Sequence, residues 1–223
     1  MHRRCRILWI APALLALIGC SSSDEAKKEE TKKEIAATPA PPKQEQAPDV
    51  FKINLDTSKG LIVIEMHRDW APLGVDHLHS LVKMGFYDGC YFFRYVRNFI
   101  VQFGINGDPK LNNQWKNVNL LDDPVKQSNV RGTLTYATAG PRTRSTQLFI
   151  NLRNNEGLDQ QGFAPLGKVI KGMDVVDSLY SAYGDMPAMG GAGPDPSMIE
   201  SQGNQYLTEH FPRLDHIKKA TIE

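Results

Sequence analysis

Cysteine is scarce in this chain, with three in 223 residues: Cys5, Cys20 and Cys90. A small exported domain held by a disulfide framework needs more thiols than that, so the fold has to rest on an apolar core. An excess of charge is missing too. The formal net charge is +1, and the pattern holds no basic stripe, which argues against a nucleic-acid partner. No internal repeat is visible. A run of about 20 apolar residues, the length that spans a bilayer, is also lacking; the apolar stretch Ile7–Gly19 covers 13. What is present is ordinary for a globular protein. Hydrophobic residues make up 41% and charged residues 23%, enough for one medium domain with appendages.

The N-terminus reads as an address. Three arginines (Arg3, Arg4, Arg6) precede the apolar stretch, which has the length of a signal h-region. It ends in Leu17-Ile18-Gly19-Cys20. Small or apolar residues directly before a cysteine resemble the bacterial lipobox. The resemblance implies that residues 1–19 are a lipoprotein signal peptide, that Cys20 is lipidated, and that the mature chain is held to a membrane by its acyl groups. An ordinary secretory signal or an uncleaved anchor are the alternatives. Ser21 and Ser22 follow, with no Asp directly after the cysteine. In a Gram-negative cell this implies the outer membrane, facing the periplasm. Without residues 1–19, the 26 basic side chains fall by three to 23 against 25 acidic, a formal −2. Cys90 is then the one free thiol left, and it reads as a small buried hydrophobe. Residues 20–49 are rich in Lys, Glu, Ala and Pro, with Ile35 the only large apolar side chain after Cys20. They read as a disordered tether.

From Val50 the pattern becomes that of a folded domain, 50–223. Phe51, Ile53 and Leu55 alternate with polar residues, a turn follows at Asp56–Gly60, and Leu61–Ile64 resumes a strand. Pro72 and Gly85 bracket a helical pattern with Val75, Leu78, Leu81 and Val82 on one side. Short strands are expected at Cys90–Tyr95, Ile100–Phe103, Gly132–Thr138, Gln147–Asn151 and Phe163–Ile170, with a second helix at Met173–Tyr180 and a closing strand at His216–Ile222. Residues 184–205, rich in Gly, Pro and Met, read as a long loop. The expected fold is mainly β, a closed antiparallel barrel capped by two helices.

Three stretches in order are more specific than the periodicity. Tyr87-Asp88-Gly89 with FFRYVRNFIVQFG from Phe92 to Gly104 is similar to the cyclophilin signature Y-x-G-x-x-F-H-R-x-I-x-x-F-x-x-Q-x-G. LTYATAGPRTRSTQLFI, Leu134 to Ile150, resembles the family's L-S-M-A-N-A-G-x-x-x-x-x-S-Q-F-F-I. Gly157-Leu158-Asp159 with FAPLGKV, Phe163 to Val169, resembles W-L-D-x-x-x-V-x-F-G-x-V. The resemblance to cyclophilin-type peptidyl-prolyl isomerases implies an eight-stranded barrel and rotation of X–Pro peptide bonds in exported proteins. It implies Arg94 and Gln102 as catalytic, the glutamine orienting the arginine. It implies Phe99, Ile100, Phe149, Leu158 and Phe163 as the walls of a proline pocket. Ala137, Thr138 and Ala139 would pair with the substrate backbone, with Gln147 beside them. No metal or cofactor is implied. The partners are proline-containing segments, and the domain is expected to be monomeric.

Departures and plainer readings stand beside these roles. Phe93 replaces the His of F-H-R, Thr138 replaces an Asn, and Gly157 replaces an aromatic that in the family helps bind cyclosporin. These changes leave open a membrane-tethered module that binds proline-containing peptides, or chaperones, with little catalysis. Phe99 and Phe149 also read as core, Arg94 as a structural arginine paired with an acid, and Gln102 and Gln147 as satisfied strand amides. His77 and His79, two apart on a helix, read as surface residues, and Asp122-Asp123 as a solvated turn.

Overall fold

The computed structural model describes residues 45–223. The signal, Cys20 and the tether to residue 44 lie outside the described residues. Contact with the fold begins before Val50. Ala47 is buried and its N–H donates to Asp76 at 2.9 Å. The Asp49 carbonyl accepts from the Arg68 N–H at 2.8 Å. The folded part thus takes in the last residues that the sequence assigns to the tether.

Eight antiparallel strands form one sheet: β1 Val50–Thr57, β2 Gly60–His67, β3 Arg94–Val96, β4 Ile100–Phe103, β5 Thr133–Tyr136, β6 Leu148–Asn151, β7 Pro165–Lys171 and β8 Ile217–Ile222. Their spatial order is β3-β4-β6-β5-β7-β2-β1-β8. The expected closed barrel is therefore a half-barrel, with β3 and β8 as its two edges. No ladder joins those edges among the described residues. β3 is only three residues long, and β8 instead meets the chain just before it. Tyr91 and His216 form an isolated bridge, and the Phe92 N–H donates to the Asp215 carbonyl at 3.0 Å.

One face of the sheet is the main core. Phe51, Ile53 and Leu55 of β1, the alternating positions of the sequence, pack with Ile62, Ile64 and Met66 of β2. Helix α1, Pro72–Lys83, covers this core with Val75, Leu78, Leu81 and Val82. Its start is secured from a distance. The Asp123 carboxylate accepts from the N–H groups of Leu73 and Gly74 at 3.0 and 2.8 Å, which satisfies two of the helix's orphan donors. Asp123 is itself buried and paired with buried Arg144 at 3.1 Å. The solvated turn expected at Asp122-Asp123 is thus half right: Asp122 is exposed, while Asp123 is a buried cap. His77 and His79 are buried as well, not on the surface as expected. His79 meets the Phe51 ring edge at 5.1 Å, and His77 lies 5.8 Å from Trp115. The helix is covered on more than one side, so polar residues beside the apolar stripe are enclosed with it.

Five α-helices occur among the described residues, against two expected. Besides α1 they are α2 Pro109–Trp115, α3 Met173–Ser178, α4 Pro196–Gln202 and α5 Asn204–His210. The segment expected as a long loop therefore holds α4 and the start of α5. These two helices belong to a second, smaller core in which Ile199, Leu207 and Leu214 pack with Phe93 and Ile105 from the sheet side. Burying each large apolar side chain contributes about 1.5–3 kcal/mol. Phe93, the departure from F-H-R, joins Ile105 in this packing. Close backbone contact seats the added layer: the Asn204 N–H donates to the Gly107 carbonyl at 3.0 Å. Gly203 has φ +65°, and a Cβ there would stand 2.1 Å from the same carbonyl oxygen. Only glycine fits both the turn and the approach.

Candidate active site

The face of β3, β4 and β6 opposite the main core carries the functional candidates. Arg94 on β3 is directly across from Gln102 on β4, and Gln102 is directly across from Phe149 on β6. Directly opposed residues share a face, so the three side chains stand in one row. Ile100, two residues before Gln102, joins them by the period of two. The alternate residues Tyr95, Val101, Leu148 and Ile150 point into the main core. Ile100 and Phe149 are buried but belong to neither core cluster.

A chain of polar contacts runs along the row. Arg94 Nη1 donates to Gln102 Oε1 at 2.9 Å, and Gln102 Nε2 donates to Gln147 Oε1 at 2.9 Å. On its other side Arg94 Nε donates to Asp185 Oδ1 at 2.6 Å, and Nη2 to Asp185 Oδ2 at 3.3 Å. Arg94 is therefore paired with an acid, a contact that a structural and a catalytic arginine can both make. Asp185 is 91 residues away in the segment after α3, and no local pattern announces it. Burial pushes the Asp185 carboxyl up, but hydrogen bonds from Arg94 and the Met186 N–H outweigh it and hold the group below the usual carboxylate range.

Next to Gln102 and Gln147 lies a depression of about 210 Å³, also lined by Ala137, Thr138, Ala139, Thr143 and Ser145. The Ala137 N–H is taken by the Gln147 carbonyl at 2.9 Å. The Thr138 hydroxyl turns inward: it accepts from the Gly140 N–H at 3.1 Å and meets the Thr143 hydroxyl at 2.7 Å. The N–H and C=O of Thr138 make no hydrogen bond among the described residues. The side chain stiffens its own loop and leaves the backbone groups available.

The apolar candidates are gathered from three segments. The Phe149 and Phe163 rings meet edge to face at 5.7 Å. Leu158 lies in a short 3-10 helix, Glu156–Gln161, and its carbonyl accepts from the Phe163 N–H at 3.3 Å. Phe99 closes the tight turn between β3 and β4, its N–H bonded to the Val96 carbonyl at 3.0 Å. Phe99, Leu158 and Phe163 are each half-buried, so their rings and methyls remain partly open to solvent.

Beneath them is a buried amide network that sequence reasoning missed. Asn155 Nδ2 donates to the Phe99 carbonyl at 2.9 Å and to Asn151 Oδ1 at 2.7 Å. Asn129 Nδ2 donates to the Phe163 carbonyl at 2.8 Å and to Asp159 Oδ1 at 2.7 Å. These bonds tie the three apolar segments together from below, where an unsatisfied carbonyl would be costly. Asp159 is raised by partial burial, yet donors on Ser128 and Asn129 more than offset this and keep it below its ordinary value. The neighbouring Asn154-Asn155 pair reads as turn chemistry in the sequence, which hides its role.

Comparison with known proteins identifies the family. The family model described as cyclophilin type peptidyl-prolyl cis-trans isomerase/CLD matches residues 51–194. A peptidyl-prolyl cis-trans isomerase of Acinetobacter baylyi is 36% identical over 147 residues, covering 59% of this chain and 75% of the relative. Peptidyl-prolyl cis-trans isomerase A of Dickeya dadantii is 36% identical over 137 residues, covering 56% and 68%. Among solved structures, a cyclophilin type isomerase of Cryptosporidium parvum, determined in the presence of the dipeptide Ala-Pro, aligns with a TM-score of 0.57. That alignment has 20% identity and covers 77% of this chain and 98% of that one. With a family match over more than half its length, the half-barrel and its arginine row belong to a member of the cyclophilin-type peptidyl-prolyl cis-trans isomerase family.

Proposed function

We propose that this chain is a peptidyl-prolyl cis-trans isomerase that rotates X–Pro bonds in exported proteins while anchored to a membrane through Cys20. The observation that supports it most is the row of Arg94, Gln102 and Phe149 on the sheet face opposite the main core, with half-buried aromatic and aliphatic side chains beside it. The chemistry asks for no more than these groups. An X–Pro bond turns over a barrier of about 18–20 kcal/mol and takes tens of seconds or longer unaided. At the top of that barrier amide resonance is lost, the prolyl nitrogen carries a free lone pair and the carbonyl is less polar.

In this reading Phe99, Ile100, Phe149, Leu158 and Phe163 hold the proline ring in a surface that favours the less polar, twisted form. Ala137, Thr138 and Ala139 align the peptide backbone, with the Thr138 N–H and C=O as its hydrogen-bonding groups and Gln147 at the border. An N–H of Arg94 meets the lone pair only when it appears, so it stabilises the transition state and not the planar amide. Arginine suits this because it is always charged and carries five donors in one plane. Shortening the reaction from about 10 s to about 1 ms takes roughly 5–6 kcal/mol, within reach of one charged donor plus positioning.

The alternative, a peptide-binding module with little catalysis, draws on the Thr138 hydroxyl being spent within its own loop. Magnetisation-exchange NMR on an X–Pro peptide with the purified chain separates the two. Exchange between cis and trans signals on a millisecond scale supports the isomerase. Saturable line broadening without such exchange leaves only the binding module.

The export reading rests on the basic n-region, the short apolar stretch and Cys20. It places the domain at the outer membrane, facing the periplasm, where newly exported chains are met. Metabolic labelling with palmitate tests it: the wild-type chain takes up label and Cys20→Ser does not. Equal labelling of both would contradict the anchor.

A further inference from the structure

The segment between α3 and α5 delivers one acid to the arginine, and its backbone is built to hold that acid in place. The Gly184 carbonyl accepts from the Tyr95 N–H at 3.2 Å, which attaches the segment to β3 one residue past Arg94. The Asp185 carbonyl accepts from the Gly193 N–H at 2.8 Å, closing the loop on itself. Gly191 packs against the same peptide unit; a Cβ there would stand 2.0 Å from the Asp185 carbonyl oxygen, a contact no side chain tolerates. The loop is further secured by the second core and by the Lys116–Glu200 ion pair at 2.9 Å.

We infer that Asp185 is a positioning residue of the isomerase site, clamping Arg94 from the side opposite Gln102. The inference rests on the isomerase reading given above. Donor counting shows what the clamp does. Of the five guanidinium N–H groups, Asp185 takes one on Nε and one on Nη2, and Gln102 takes one on Nη1. One N–H on each terminal nitrogen is left without a protein partner among the described residues. Two opposed acceptors fix the guanidinium plane, so the unused N–H groups keep one direction instead of sweeping through the many rotamers of a free arginine. The side-chain ordering is done before substrate arrives, which is the condition for a fixed donor to act at the transition state. Asp185 also holds its charge against the Nε edge of the guanidinium.

The test uses the full chain in detergent with wild type, Asp185→Asn, Asp185→Glu and Gly191→Ala. The readouts are kcat and KM on an X–Pro peptide, and the Nε–H resonance of 15N-labelled arginine. In wild type we expect a slowly exchanging, downfield Arg94 Nε–H, absent in an Arg94→Lys reference. Asp185→Asn should lose that signature and about tenfold in kcat, with KM changed less than twofold. Asp185→Glu should recover part of both. Gly191→Ala moves the Asp185 backbone without touching either side chain, and it should mimic Asp185→Asn. A merely structural aspartate would lower the unfolding midpoint and leave kcat alone. An Asp185→Asn chain that loses the Nε–H signature yet keeps wild-type kcat overturns the inference, as does a wild-type chain with no protected Nε–H. If wild type shows the protected Nε–H but rotates no X–Pro peptide, the isomerase reading falls and takes the catalytic role with it, while the clamp stands as geometry.

Discussion

Arg94 has two protein acceptors at 2.6 and 2.9 Å and is only 12% exposed, so its substitutions do not behave alike. Lysine keeps the charge but offers a single ammonium on a flexible stem, unable to face Asp185 and Gln102 together. Arg94→Lys is therefore expected to fall nearly as far as Arg94→Ala in a protease-free isomerisation assay, each by about a hundredfold or more in kcat/KM. Near-normal activity in the lysine variant would show that charge alone suffices. Cys90 makes the opposite case, a group whose chemistry is silenced. It is wholly enclosed, and burial pushes its thiol far above the ordinary range. A thiol reagent should leave Cys90 unmodified in the native chain and react with it only after unfolding. Gly157 is exposed, and a Cβ there meets nothing within 4 Å. Gly157→Trp should fold normally and bind cyclosporin more tightly than wild type by calorimetry. Unchanged binding would mean that the missing aromatic is not what sets this affinity.

Among the elements, α1 carries the clearest pH dependence. His77 lies in the packed side of the helix, where burial lowers its pKa from 6.5 to about 4, with the Arg144 charge adding to the shift against a backbone hydrogen bond at Ser145. The folded state therefore binds fewer protons than the unfolded chain between those values. Stability from this group is complete above pH 6.5 and is lost as pH falls toward 4. By pH 4.5 the loss is roughly 2–3 kcal/mol. Urea unfolding at pH 7 and 4.5 should show wild type losing that much more than His77→Asn; equal losses would remove His77 as the cause. Helix α1 is also where sequence and structure agree best, because its apolar positions repeat with the helical period and Pro72 and Gly85 mark its ends. Helices α4 and α5 are hidden in the sequence because seven residues are too few for that period to show. The Asp-Pro pair at 195–196 was the signal available: Asp195 caps α4 by accepting from the Ser197 N–H at 2.8 Å, and Pro196 is its first residue.

At the scale of the molecule, a half-barrel carries its candidate site on the face away from its core, and a second layer is fastened beside that face. Arg94, Ile100, Gln102 and Phe149 are legible from motif spacing because they lie on strands whose order the motifs preserve, while Phe99, Leu158 and Phe163 sit in the segments between strands. Asp185 is not legible, since its role exists only once a segment 91 residues on has packed against β3. Phe93 joins the two: alone it is a departure from the family pattern, and in the fold it is the apolar seat of the added layer. Phe93→His should loosen that layer and lower stability by about 2–3 kcal/mol in denaturant unfolding. An unchanged midpoint would mean the second core does not depend on it. The whole account turns on whether this face rotates X–Pro bonds by way of Arg94. The most direct measurement is kcat/KM for an X–Pro peptide with the purified wild-type chain and Arg94→Ala side by side. The account predicts acceleration by wild type and a loss of about a hundredfold or more in the variant. No acceleration by wild type, or equal acceleration by both, would contradict it.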